Sequence, residues 1–338
     1  LALYLTALGA AGSPVADAAM KGDKLALRTL LQQKADVNLP QADGATAIQW
    51  AAYQDDLEMA DMLIGAGANV KAANHDGATA LSLASINGSA VMIEKLLKAG
   101  ADVNERQPHG ETPLMMASRN GNPDAIKVLL DHKADVNAKE TLRGTTALMW
   151  AAEQSHPEAV KLLTAAQADV SAATAADTRN SRLNIAPSVQ ARAQSLQASG
   201  GLGGGRAGRG PAGRGARPAA PGAPGDGPAL ADDFDDFAAF FRGPTVKDGG
   251  GLTPLVFAAR QGCMECARTL IEAGADVNQV TLYGWSPLLT ATQNRHYKLA
   301  AYLLDHGANP NLPNKGGWTP LYLATDNRNI ESGDYPVR

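Results

Sequence analysis

Two cysteines three residues apart, Cys263 and Cys266 in "RQGCMECARTL", are the only thiols in the chain. A Cys-x-x-Cys pair is a redox dithiol, half of a zinc site, or two small residues on a buried helix face. Zinc asks for four ligands. A second cysteine pair is missing and the nearest histidine is His296. A thioredoxin-like centre needs a βαβ context, which the surrounding pattern does not supply. Three readings of the pair therefore stand: reduced and simply packed, a local disulfide, or a catalytic thiol. The six histidines (His75, His109, His132, His156, His296, His306) have no Ser or Cys at a nucleophile-base spacing, and "GGLGGGRAGRG" resembles a phosphate loop by composition only, since no strand precedes it. The expectation is a chain without catalytic residues, metal or cofactor.

The elements around the cysteines repeat. "KADVN" begins at 34, "GANVK" at 67, "GADVN" at 100, "KADVN" at 133, "QADVS" at 167, "GADVN" at 274 and "GANPN" at 307. A second phrase opens at Ser13, Thr46, Thr79, Thr112, Thr146, Thr253, Ser286 and Thr319, as in "TALSLAS", "TPLMMAS" and "TPLVFAA". Its hydroxyl residue advances by 33, 33, 33, 34, 107, 33 and 33 positions. A fixed period of this length means stacked supersecondary units.

Each unit reads as two short helices. The Ser or Thr is an N-cap and the following Pro or Ala a first helical position. Gly88, Gly121 and Gly262 end the first helix. The second carries Val91, Ile93, Leu96 and Leu97 at helical spacing in one unit, and stops at Gly67, Gly100, Gly274 or Gly307, where a left-handed cap is needed. Asn-, Asp- and Gly-rich residues between units read as a projecting hairpin. Helices this short cannot bury their apolar faces alone, so each unit must lean on the next. Cys263 falls at the start of the second helix of unit six, with Cys266 one turn on, near the buried face.

The 33-residue period, the "TPL" entry and the "GADVN" exit resemble the ankyrin repeat over residues 13–171 and 251–338. The resemblance implies an all-α ankyrin-repeat solenoid of about eight helix-turn-helix units, the last incomplete. Where that family usually has His after "TPL", this chain has Gln49, Ser82, Met115, Met149, Val256, Leu289 and Tyr322, so the polar linkage attributed to that His is in question.

The resemblance also implies a site: a concave surface of hairpin tips and first-helix ends that holds a protein partner. Carried over position by position, it selects Asp43, Tyr53, Gln54, His75, Asp76, Asn87, His109, Glu111, Arg119, Asn120, Arg143, Glu153, Gln154, Arg260, Gln261, Tyr283, Trp285, Gln293, Asn294, Trp318 and Asn327. Within it runs a column of carboxamides, Gln54, Asn87, Asn120, Gln154, Gln261, Asn294 and Asn327. Such amides bond helix-terminal carbonyls or form a ladder facing a ligand. Trp50 and Trp150 occupy a core slot. Trp285 and Trp318, 33 residues apart and each just before a helix cap, are expected to be exposed on hairpin tips as paired interface anchors, with Tyr283 beside them.

The 107-residue step contains an insertion, roughly 173–248, that is Gly-, Pro- and Ala-rich with no Glu. Such a composition predicts a disordered connection. Closing a loop of this length costs roughly 2 kcal/mol more than closing a hairpin, so the two blocks are expected to stay stacked. Seven arginines between 179 and 217 (among them Arg206, Arg209 and Arg214) suggest RNA binding, but no aromatic is interleaved for base stacking. Residues 231–244, "ADDFDDFAAFFRGP", place Phe234, Phe237 and Phe241 on one helical face and predict a docking helix.

A formal charge of −4 with 19% charged residues gives no overall bias toward nucleic acid, and no 18-residue apolar run spans a membrane. The opening "LALYLTALGAAG", residues 1–12, reads as the remnant of a signal peptide, which would place the protein outside the cytoplasm or in a periplasm, or as an apolar helix capping unit one in a cytoplasmic protein. The functional expectation is a monomeric, non-catalytic scaffold that binds another protein. A thiol-disulfide protein working through Cys263 and Cys266, or an RNA binder working through the Arg-Gly segment, are the rivals.

Overall fold

A computed structural model of the chain describes residues 12–176 and 250–331, with side chains to residue 326. Among the described residues there are fifteen helices and no strand, only an isolated bridge between Ala73 and Thr79. They pair as α1 (Pro14–Met20) with α2 (Lys24–Gln32), α3 (Ala47–Tyr53) with α4 (Leu57–Gly65), α5 (Ala80–Asn87) with α6 (Ala90–Lys98), α7 (Pro113–Asn120) with α8 (Pro123–Asp131), α9 (Ala147–Glu153) with α10 (Pro157–Ala165), α11 (Pro254–Gln261) with α12 (Met264–Glu272), and α13 (Pro287–Gln293) with α14 (Tyr297–Asp305). α15 (Pro320–Glu331) is the first helix of unit eight.

No helix of the seven pairs exceeds nine residues, well below the dozen or so at which isolated helices become marginal. Stability therefore comes from stacking. First helices pack on first helices and second on second, and the shared face holds fully buried Leu27, Ile48, Leu63, Leu81, Leu96, Leu114 and Ile126. Each first helix begins at its hydroxyl residue, whose oxygen accepts from the N–H three residues on, as at Thr79, Thr112, Thr146, Thr253 and Ser286.

Every position of "GADVN" has a physical duty. The first residue is left-handed; the alanine and valine are inward, as at Ala275, Val37 and Val70. The carboxylate accepts from the amide two residues on, Asp36 from Asn38 at 2.9 Å and Asp135 from Asn137 at 3.0 Å, an Asx turn. The final Asn reaches the next unit. Asn38 donates to the Gly67 carbonyl (3.1 Å) and accepts from the Asn69 amide (2.7 Å). Asn104, Asn137 and Asn278 repeat the pattern one unit further each time.

The carboxamide column is structural in the same sense. Gln54 donates to the carbonyls of Ala19 and Met20, Asn87 to those of Ala52 and Tyr53, and Asn120 to Ile86. Each amide thus caps the first helix of the preceding unit rather than its own, whereas Asn294 bonds Thr290 of its own helix at 2.8 Å. In units five and seven a histidine does the work: His156 Nε2 lies 3.0 Å from the Arg119 carbonyl and His296 Nε2 3.1 Å from that of Arg260. These bonds set aside the ligand-facing ladder for the amides that make them.

The missing His after "TPL" is replaced in one unit by Gln49, whose amide donates to the carbonyls of Ala72 and Ala78 in the next hairpin. Ser82 instead closes a capping box with Thr79, and Met115, Met149, Val256 and Leu289 are apolar and buried.

The insertion departs from the tip of hairpin six. Thr174 donates to the Leu252 carbonyl (3.0 Å), as Asn74 does to Ala78 and Thr281 to Trp285 in their hairpins, and Gly251 donates back to Thr174 (2.9 Å). Residues before and after it belong to one compact unit: α9 packs on α11 and α10 on α12. Glu153 pairs with Arg260 at 2.5 Å, and Gln279 donates to the Ser171 carbonyl at 3.0 Å.

Two predictions follow from this packing. Proteolysis confined to residues 177–249 should leave the two fragments co-eluting on a sizing column at micromolar concentration, because the shared interface outweighs a closure term of about 2 kcal/mol; separate elution would disprove it. Glycine substitutions should split into two classes. A Cβ at Gly100 (φ +98°) meets nothing within 4 Å, so Gly100→Ala should cost only the left-handed strain of about 1–2 kcal/mol. A Cβ at Gly121 would lie 2.4 Å from the His156 ring, so Gly121→Ala should cost about 2 kcal/mol more as the His156 bond is lost. Urea midpoints of both variants, with and without His156→Ala, check this.

Candidate functional site

The hairpins form one edge of the stack and are tied to each other through the backbone. The amide of His75 donates to the Asp43 carbonyl (2.9 Å), Thr141 to His109 (2.8 Å), Ala175 to Arg143 (2.6 Å), Leu282 to Gly250 (3.1 Å) and Lys315 to Tyr283 (2.9 Å). Unit four breaks the ladder, because Pro108 has no N–H to donate. Inside hairpins three and eight the first side chain satisfies the loop amides. Asn74 Oδ1 accepts from Asp76 and Ala78, and Asn314 Oδ1 from Gly316 and Trp318. Hairpin five is one residue longer, and there the Glu140 carboxylate accepts from the amides of Leu142, Arg143 and Thr145. That is how a 34-residue step fits a 33-residue stack.

On this edge Tyr53, Gln54, His75, Asp76, Asn87, His109, Asn120, Gln154, Gln261, Gln293 and Asn294 are exposed; Glu111, Arg119, Arg143, Arg260 and Tyr283 are half-buried. Asn327 lies in α15 beyond the described side chains. The tryptophan expectation is overturned. Trp285 is 9% exposed and Trp318 1%, so neither is a surface anchor. Both occupy the position just before an N-cap, where Ala45, Ala78, Thr145 and Leu252 are also buried. A residue there turns back onto the helix it introduces, as in a hydrophobic staple; Trp318 meets Tyr322 edge-on at 5.4 Å. Leu282 and Tyr283 are the outward residues of hairpin seven. Trp150 is buried as expected, whereas Trp50 is half-buried and donates to Gln41 at 2.7 Å.

Three guanidiniums and one carboxylate meet where units four to six adjoin. Arg119, at the end of α7, lies 4.9 Å from the centre of the Trp150 ring on α9. Arg260, at the end of α11, lies 5.0 Å from the Phe257 ring and pairs with Glu153. Arg143 projects from hairpin five. Burial pushes the Glu153 carboxyl above its ordinary value, while Arg260, Arg119 and Arg143 pull it down. Burial likewise lowers Arg119, with Glu153 acting against it.

Cys263 and Cys266 are joined in a disulfide. Cys263 is the N-cap of α12, its sulfur accepting from the Cys266 amide at 3.2 Å; Cys266 fills the fully buried slot held elsewhere by Met59, Met92, Ala125 and Ala159. Among the described residues, no group of three or more His, Cys, Asp or Glu could hold a metal ion, and no helix is long and apolar enough to cross a membrane. Residues 1–11, the Arg-Gly segment, and Phe234, Phe237 and Phe241 lie outside the described residues.

Stacked helix pairs with hairpins bonded edge to edge define a repeat protein whose sites are surfaces rather than pockets. The chain belongs to the ankyrin-repeat family: a family model described as ankyrin repeats in three copies matches residues 15–107, 92–174, 235–314 and 255–335. No curated protein matches the chain. Ankyrin repeats are, in general, protein-protein interaction modules and typically not enzymes.

One half-buried carboxyl escaped the sequence reading. Glu105 follows "GADVN" in a slot filled by buried Ala138 and Ala172 in later units, and laying the repeats side by side would have exposed it. Its carboxyl accepts from the Thr79 hydroxyl across the boundary between units three and four. Burial pushes its pKa up to about 7, with the nearby Asp102 adding and the Thr79 bond opposing. The ordinary unfolded value is about 4.3, so over the intervening range the folded state holds a proton that the unfolded state has released. The associated stability is complete below about pH 4 and lost as pH rises through about 7. Glu105→Gln should match the wild type near pH 4.5 and exceed it at pH 8 by on the order of 3 kcal/mol. Urea unfolding of both proteins at the two pH values checks the difference; a constant offset would refute it.

Proposed function

We propose that this chain is a non-catalytic scaffold that captures a protein partner on the concave face formed by its hairpins and first-helix ends. The observation that carries the reading is the hairpin backbone ladder, which holds successive side chains at fixed spacing while leaving several of them without structural duty. His75, Asp76, His109, Gln261 and Gln293 are exposed, and none of their side chains is used to join one unit to the next. Rigid presentation of such groups lowers the ordering cost of association. Tyr53, 46% exposed and set edge-on to Trp50 at 5.9 Å, adds an aromatic contact toward the N-terminal end. The scaffold acts as a monomer, and the Cys263–Cys266 disulfide supports its residence in an oxidising compartment after export.

A photo-reactive amino acid placed singly at His75, His109 or Gln261 should cross-link one common protein in extracts of the native host. The same group at Lys127 or Glu265, on the second helices, should not capture it. Cross-links confined to the second-helix positions, or absent throughout, would remove the concave face as the binding site.

A further inference from the structure

The head of α12 differs chemically from the same place in other units. The N-cap of the second helix is a carboxylate at Asp23 and Asp56, a hydroxyl at Ser89 and a carboxamide at Asn122, and each accepts from the amide three residues on. In unit six the acceptor is the Cys263 sulfur, 3.2 Å from the Cys266 amide. Units one and two hold an anion at this position. A Cys263 thiolate would therefore meet the same amide, and the same positive end of a helix dipole, that those carboxylates meet.

The bond between the two sulfurs is not what holds the fold. Its partners are 3 residues apart, a loop too short to restrict the unfolded chain by much. Cys266 is fully buried in a slot that Met59, Met92, Ala125 and Ala159 fill elsewhere, so its thiol has a place when the bond is open. The turn before α12 is fixed from outside. His296 of the next unit packs on Gly262, and its Nε2 donates to the Arg260 carbonyl at 3.1 Å. Cap, slot and turn thus serve the joined and the separate sulfurs alike.

The sulfurs are unequal in access, Cys263 half-buried and Cys266 fully buried. We propose that Cys263 and Cys266 form a reversible redox centre that accepts electrons from an external dithiol, with Cys263 the sulfur attacked. A thiolate of the dithiol attacks Cys263 Sγ, the bond to Cys266 breaks, and Cys266 leaves as a thiolate that takes up a proton. The donor's second thiolate then attacks the donor sulfur of the mixed disulfide. Cys263 leaves as the thiolate held by the Cys266 amide, and the donor departs as a disulfide. Two electrons pass from the dithiol to the chain; of its two protons, one ends on Cys266 and the other in solvent. The centre is independent of the concave-face reading and stands or falls without it.

The test uses the full chain with dithiothreitol as the dithiol and no denaturant. Thiols trapped by maleimide after an acid quench should show the bond reduced, with the helical circular-dichroism signal unchanged and the urea midpoint within about 10% of that of the oxidised chain. Oxidised glutathione should then close the bond again and leave no lasting adduct. With Cys266→Ser it should instead leave glutathione on Cys263, at least about tenfold faster than Cys263→Ser acquires it on Cys266, as read by mass. Reduction that needs urea, loss of helical signal on reduction, or equal adduct rates in the two variants would overturn the proposal. The first measurement is made on the unaltered chain and decides the matter even where a serine variant fails to fold.

Discussion

Helix ends that cannot satisfy themselves are the constraint on which this structure depends. A helix of seven to nine residues leaves about half of its carbonyls without an intrahelical partner, and in this chain many of those groups are answered by the next unit. Gln54, Asn87, Asn120, His156 and His296 reach back to the first helix of the unit before, while Asn38, Asn104, Asn137 and Asn278 join one exit loop to the next. A unit taken alone would lose both its apolar contacts and its caps. The period of the sequence is thus the spacing at which polar and apolar requirements are met together.

The same constraint decides where glycine is required. At the end of the first helix the residue is left-handed, and where the next unit's capping side chain lies against it, Gly88, Gly121 and Gly262 face Asn120, His156 and His296 at distances that exclude a Cβ, whereas Asp55, Ser155 and Arg295 take the conformation in other units. At the end of the second helix the space is open, and Lys34, Lys133 and Gln167 take the left-handed conformation. "KADVN" and "GADVN" are interchangeable in space though not in backbone strain.

Two glutamates, Glu105 half-buried and Glu153 buried, show how one chemistry is resolved differently along the stack. Glu105, with a hydroxyl for a partner and a second carboxylate nearby, is driven toward its protonated form. Glu153 is buried among three arginines that oppose the effect of burial, and its ion pair with Arg260 joins units separated by the insertion. The first is a feature of packing between units; the second ties the units on either side of the insertion together.

The sequence by itself determined the repeat: number of units, cap positions, left-handed exits and the point of insertion all follow from local rules read at a 33-residue period, since caps and turns depend on residues within one unit. It also named most side chains of the hairpin edge, because equivalent positions in a repeat share a location. What only the tertiary structure decided was which of those side chains remain outward. Trp285 and Trp318 stand beside turn residues and read as exposed, yet they are covered because the position before an N-cap folds back on its helix. The amide column left both readings open, and three of its six described members, Gln54, Asn87 and Asn120, are engaged with a neighbour's carbonyls. The convergence of Arg119, Arg143 and Arg260 on Glu153 joins residues from three units and spans the insertion. Distance along the chain says nothing about such a meeting; the stacking of one unit on the next creates it.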